Sequence, residues 1–119
     1  MDIQIKRIYD SPSEGDGIRI LVDRLWPRGI SKEKSGIDHW VKDFAPSHEL
    51  RKWFHQHLEE WDEFARLYQI ELLHQQDYIK AFFADLKSFR ITFLYSSKFR
   101  DRNHAILLRQ FIQNFHYQN

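Results

Sequence analysis

Two polar stretches in this 119-residue chain directly follow apolar runs, and both carry groups suited to holding or protonating an anion. The first is Asp23-Arg24-Leu25-Trp26-Pro27-Arg28-Gly29, behind Ile18-Arg19-Ile20-Leu21-Val22. Pro27 suits the second position of a β-turn and Gly29 the fourth, so Trp26-Pro27-Arg28-Gly29 reads as a rigid turn. Such a turn aims Arg24 and Arg28 in fixed directions, and guanidinium forks match carboxylate or phosphate oxygens. The second stretch is Ser96-Ser97-Lys98-Phe99-Arg100-Asp101-Arg102-Asn103-His104. It leaves one strand and enters one helix, the place where open α/β sheets bind ligands.

Together these stretches predict a binding or catalytic site for a phosphate- or carboxylate-bearing small molecule. Arg24 and Arg28 are the expected anion clamps, with Trp26, Ser96 and Asn103 as further binding residues. Asp23 is the orienter or base, and His104 the acid or base near neutral pH. Plainer roles compete with these. Asp23 pairs with an arginine and Trp26 fills the core, while Asp101 or Asn103 caps a helix whose first surface turn carries His104.

Other chemistry finds little support. His55-Gln56-His57 has an i, i+2 spacing that does not place two ligands on one helical face, so no metal is expected. Asp43 near Ser47 sets a carboxylate by a helix start, but Ser47 alone explains that segment as a cap. The absence of cysteine excludes thiol nucleophiles, disulfides and cysteine zinc sites, and fits a reducing cytoplasm. No glycine-rich phosphate loop, nucleophile elbow or paired-histidine zinc motif occurs, and no cofactor is implied.

The elements that must position these groups follow from periodicity. Residues 3–9 read as a strand and stop at a cluster of turn formers, Asp10-Ser11-Pro12-Ser13-Glu14-Gly15-Asp16-Gly17. Residues 18–22 form a second strand; if it pairs directly with the first, the short loop requires an antiparallel pair. Residues 31–35 suit one helical turn, ended by Gly36. Residues 37–44 fit either a helical stripe or a strand face, with a short strand the preferred reading. Helices follow from Ser47, then over about 59–73, 77–88 and 102–115, each with an apolar stripe facing a core. Arg90-Ile91-Thr92-Phe93-Leu94-Tyr95-Ser96 is the clearest strand and belongs in the middle of the sheet. The expected fold is thus α/β: one domain over 1–119, with a small mixed sheet of three to four strands packed by about four helices.

Net charge and composition bound the partners. Eighteen basic against seventeen acidic residues leave a net charge of +1, yet residues 59–77 carry six acids against Arg66 and residues 87–109 six bases against Asp101. Such asymmetry marks either a solvated face or an anionic partner. A nucleic-acid module usually shows a larger basic excess, so nucleic acid or an acidic protein partner, engaged through residues 98–109, ranks second to the small-molecule site. Matching the acidic helix to the basic segment would make a homo-oligomer. No uncharged run approaches membrane-spanning length, and the first residues lack the apolar stretch of a signal peptide. A membrane partner is not expected.

The chain resembles the YeaO-like family of small bacterial proteins, the domain of unknown function 488. The matching text is Arg7-Ile8-Tyr9-Asp10, Asp16-Gly17, Leu21 through Gly29, Lys42-Asp43-Phe44-Ala45-Pro46-Ser47, Leu50-Arg51-Lys52-Trp53-Phe54 and Asn103-His104-Ala105. It covers nearly the whole chain in order. The resemblance implies a compact cytoplasmic α/β domain and no established activity. It also implies one departure: Lys98, Arg100 and Arg102 stand where relatives tend to carry acids before Asn-His.

Overall fold

In the computed structural model, which describes residues 1–86 and 88–118 and of 115–118 the backbone alone, Ile3 and Ile5 alternate with Gln4 and Lys6 along strand β1 (Asp2–Arg7). The next strands are β2 (Ile18–Leu21) and the two-residue β3 (His39–Trp40). Helices α1 (His48–His55), α2 (Trp61–His74) and α3 (Gln76–Asp85) come before β4 (Arg90–Tyr95), and α4 (His104–Gln118) closes the chain. Lys87 and the side chain of Phe115, one of the expected core residues, fall outside the described residues.

The sheet order is β1-β4-β2-β3, and every pairing is parallel. This corrects the expected mixed sheet. The first two strands never pair with each other; β4 lies between them, setting Ile91 beside both Ile3 and Ile18, and Phe93 beside both Ile5 and Ile20. A loop too short for a helix can still cross one intervening strand, which removes the need for a hairpin. β4 is central as expected, with Ile91, Thr92, Phe93, Leu94 and Tyr95 all buried.

Strand pleating sorts these residues between two layers. Ile3, Ile20, Val22, Ile91, Phe93 and Tyr95 join the larger core with Phe44, Phe64, Tyr68, Leu72, Ile79 and Leu108 from the helical side. Leu21 and Leu94 point the other way and, with Ile8, meet Trp26, Ile30, Ile37 and Trp40. That second layer has no helix of its own. It is built mainly by residues 26–40, and the expected helical turn at 31–35 is a hydrogen-bonded turn ending at Gly36, whose φ is +67°. Strand pairing within 37–44 is confined to His39–Trp40, after which Lys42–Phe44 form a 3-10 turn.

Helix starts follow local chemistry. The Ser47 hydroxyl accepts from the Leu50 N–H at 3.1 Å, while the Glu71 carboxylate accepts from the Ser47 N–H at 2.8 Å and its hydroxyl at 2.5 Å. A Ser47→Ala variant should therefore lose about 1–2 kcal/mol of stability, measured by urea unfolding, because cap and carboxylate both lose a partner. At the amino edge of the sheet, buried Asp16 binds Lys6 and Arg19, and its carbonyl accepts from Thr92 Oγ1 at 2.7 Å.

Candidate functional site

Because all four strands run the same way, the segments that follow β1, β2 and β4 emerge at one carboxyl edge. The chain after β4 turns towards the helical face as α4, whereas residues 26–40 cover the opposite face. In open α/β sheets, diverging connections of this kind mark the strand ends as the place for a ligand.

Asp23 stands there, 8% exposed. Its Oδ2 accepts from the Ser96 N–H at 2.9 Å and the Ser96 hydroxyl at 2.6 Å. His104 Nε2 lies 3.3 Å from Asp23 Oδ1 and 2.9 Å from the Val22 carbonyl oxygen. Both neighbours are acceptors, so Nε2 carries a proton in either charge state of the ring. The bond to Val22 has the better geometry, which leaves Asp23 Oδ1 buried without a hydrogen bond of its own. Burial pushes the Asp23 carboxyl up, but the His104 ring and the two Ser96 donors outweigh it and hold the group below the usual carboxylate value. The Asp23 carbonyl accepts from Trp40 Nε1 at 2.8 Å, fixing the backbone as well.

This arrangement sets limits on the chemistry. Nucleophile activation needs a base touching the hydroxyl, with the carboxylate behind the base. Here the carboxylate sits in the middle, and the Ser96 proton is committed to Asp23 rather than to His104. The cluster ties three chain segments together and holds the imidazole with Nε2 inward. Asp23→Asn should destabilise the fold by about 2 kcal/mol, since an amide in place of the carboxylate weakens the charge-assisted bonds from Ser96 and the electrostatic contact with His104. Urea unfolding of Asp23→Asn, His104→Ala and the double variant should show coupling between the two positions; strict additivity would remove the contact from the account.

The other expected site residues divide. Arg24 donates from Nε to the Pro46 carbonyl at 3.1 Å and from Nη2 to the Ala45 carbonyl at 3.3 Å. It stitches the segment before α1, helped by the Tyr68 hydroxyl, which donates to the Phe44 carbonyl. Asn103 is the cap of α4: Oδ1 accepts from the Ile106 N–H at 3.2 Å and Nδ2 donates to the Phe99 carbonyl at 3.0 Å. Trp26 packs in the second layer, 5.2 Å from Trp40, and its Nε1 donates to the Ile30 carbonyl at 2.7 Å. The tight turn lies one residue later than expected: Ile30 N–H donates to the Pro27 carbonyl at 3.4 Å, with Gly29 at φ +79°. Arg28 is exposed on that turn, whose neighbours Trp26 and Ile30 pack in the second layer, whereas Ala105 beside His104 joins the larger core, so the two segments lie on opposite faces of the sheet.

Neighbouring groups went unnoticed in the sequence. Arg7 donates to the Ser97 carbonyl at 2.8 Å and the Ser96 carbonyl at 3.1 Å, and its guanidinium lies 4.9 Å from the centre of the Tyr9 ring. Asp10 takes both ends of the Arg100 fork, at 2.7 and 3.0 Å, and that hydrogen-bonded guanidinium draws its carboxyl below the usual value. Tyr9 in turn donates its hydroxyl to the Arg28 carbonyl at 2.9 Å. The Arg7-Ile8-Tyr9-Asp10 string was the available signal, but nothing local shows which distant loops it staples. Among the described residues, no cluster of three or more metal-ligating side chains occurs and no helix is long and apolar enough to cross a membrane.

Residues 2–119 match the family described as "Inactive DUF488-N3 subclade". The chain belongs to the YeaO-like DUF488 family. This DUF488 chain is 42% identical to "Uncharacterized protein YeaO" of Escherichia coli (strain K12) over 114 residues, covering 96% of this chain and 99% of the relative. It is 38% identical over 114 residues to "Uncharacterized protein Rv3073c" of Mycobacterium tuberculosis (strain ATCC 25618 / H37Rv), with 92% of each chain covered. "Uncharacterized protein Mb3100c" of Mycobacterium bovis (strain ATCC BAA-935 / AF2122/97) gives the same figures. No solved structure matches the DUF488 chain.

Proposed function

We propose that this DUF488 domain is a non-catalytic binding module that takes an anionic group at the carboxyl edge of its sheet. The observation that carries this reading is a division of labour among the polar groups of the edge. Asp23, Ser96, Asn103 and Arg24 spend their hydrogen bonds inward, and Arg100 is held by Asp10. Arg28 and Arg102 remain exposed, with no side-chain hydrogen bond or ion pair among the described residues, and exposed Lys98 meets only the Phe99 ring. The order of Ser96, Asp23 and His104 argues against nucleophilic catalysis, and the word "inactive" in the family description agrees. A small phosphate- or carboxylate-bearing molecule is the favoured ligand. Charge spread from Lys98 to Arg102 supports a larger polyanion, nucleic acid or acidic protein, as the second reading. A cytoplasmic location fits the cysteine-free composition.

The test is a backbone-amide NMR titration with inorganic phosphate and pyrophosphate at low salt. Saturable shifts over 96–103 are expected, larger with pyrophosphate, and should fall at least several-fold in Lys98→Glu/Arg102→Glu. Shifts that are absent, or that persist unchanged in the charge-reversed variant, would sink the proposal.

A further inference from the structure

The carboxyl edge also carries aromatic surface that the core does not use. Phe99 is 46% exposed and Tyr9 45%, unlike Trp26, whose ring packs in the second layer. Each ring has a cation against it: Arg7 lies 4.9 Å from the centre of Tyr9, and Lys98 Nζ 5.5 Å from that of Phe99. The rings also belong to one fastened unit. Arg7 binds the Ser96 and Ser97 carbonyls, Asp10 binds Arg100, and the Tyr9 hydroxyl binds the carbonyl of Arg28. An exposed ring held beside cations is a stacking surface with an electrostatic rim.

Resting on the reading of this edge as an anion site, we infer that the anion is the phosphate of a nucleotide unit whose base stacks on Phe99, with Tyr9 as a second ring. Lys98 and Arg102 supply charge to the backbone phosphate, and no base edge is read. Aromatic faces accept any base, so the interaction is tolerant of sequence and strongly dependent on salt. Single-stranded nucleic acid and a free nucleotide share this chemistry. An acidic peptide offers the charge without a planar ring, and so leaves the exposed rings unexplained.

Fluorescence anisotropy at low salt separates the cases. The probes are a labelled thymine oligonucleotide, an abasic oligonucleotide of equal length, polyglutamate, and thymidine monophosphate as competitor. Binding of the thymine strand is expected to be about tenfold tighter than that of the abasic strand. Phe99→Ala should erase that difference, while Phe99→Trp retains it. Position 99 is exposed, and circular dichroism checks that the fold is kept. Competition by the mononucleotide at concentrations near the oligonucleotide's own Kd identifies a free nucleotide as the ligand; competition only at far higher concentrations identifies the strand. Equal affinity for thymine, abasic and polyglutamate probes overturns the stacking inference while leaving the anion site standing. No binding by any probe, together with absent pyrophosphate shifts, overturns both.

Discussion

Gly17→Ala is expected to lower the free energy of unfolding by about 4 kcal/mol, a large share of what holds a domain of this size together. Gly17 has φ +66° and ψ −139°, a region that residues with a side chain scarcely enter. A Cβ there would lie 2.2 Å from the Arg90 carbonyl oxygen and 2.8 Å from its carbonyl carbon. Those are backbone atoms at the start of the central strand, so relief requires moving β4 itself. Gly29 provides the contrast. Its φ is +79°, but a Cβ would meet nothing within 4 Å, so Gly29→Ala should cost only about 1–2 kcal/mol of backbone strain. Equilibrium urea unfolding of both variants checks the claim. Equal losses would show that conformation alone, and not the approach to β4, sets the penalty at Gly17.

Asp16→Ala should cost a similar amount, about 3–5 kcal/mol, because it strands a buried cation. Asp16 is 1% exposed and Arg19 5%. The carboxylate accepts from Lys6 at 3.0 Å, from Arg19 at 2.5 Å, and from the Ser13 N–H and hydroxyl at 3.1 and 2.9 Å. Arg19 would keep only the Gly36 and Ser35 carbonyls, which satisfy its geometry and leave its charge unmatched. The pH dependence follows from the same contacts. Burial raises the Asp16 carboxyl, but Lys6, Ser13 and Arg19 overcome it and bring the group from 3.8 down to about 2. A depressed folded value means that this stabilisation is fully present above pH about 4 and is lost as pH falls towards 2, on the order of 2 kcal/mol in all. Asp16→Asn should be less stable than the parent at pH 7, with a gap that narrows across that window. A gap independent of pH would assign the loss to packing rather than charge.

Particular residues show why some of this was legible in the sequence. The α-helical stripes were, because Phe64, Tyr68 and Leu72, or Leu108, Phe111 and Ile112, repeat at helical spacing within one short segment. So was Ser47 as a cap, whose partner Leu50 is three residues away. That Asp23, Ser96 and His104 belong to one edge was also accessible, since Asp23 and Ser96 lie just beyond strands and His104 opens the helix that follows. The direction of their hydrogen bonds was not, because it depends on segments 73 residues apart meeting at 2.6 Å. The pairing of β1 was missed for a like reason: its partner lies 88 residues away at Arg90, and no local signal announces a strand inserted between two neighbours. Trp26 looked functional beside two arginines, but what it covers is Leu21 and Leu94, on a sheet face that has no helix. That Phe99 and Tyr9 are both exposed at this edge was not legible, because exposure is decided by how distant loops meet.

The place of β4 also orders events in time. β1 and β2 are made within the first 21 residues, yet each finds its shared neighbour only after residue 90 has been added. Until then the nascent chain has two strands with unmatched edges, and the β2–β3 pair is only two residues long on its β3 side. Closing such distant pairs carries an entropic cost that local contacts do not offset, so the sheet should assemble late and slowly for a chain of this length. A ribosome-bound fragment ending before Arg90 would expose Ile3, Ile20 and Leu21 together, which makes this interval of synthesis the one in which the chain is most open to aggregation or to a chaperone.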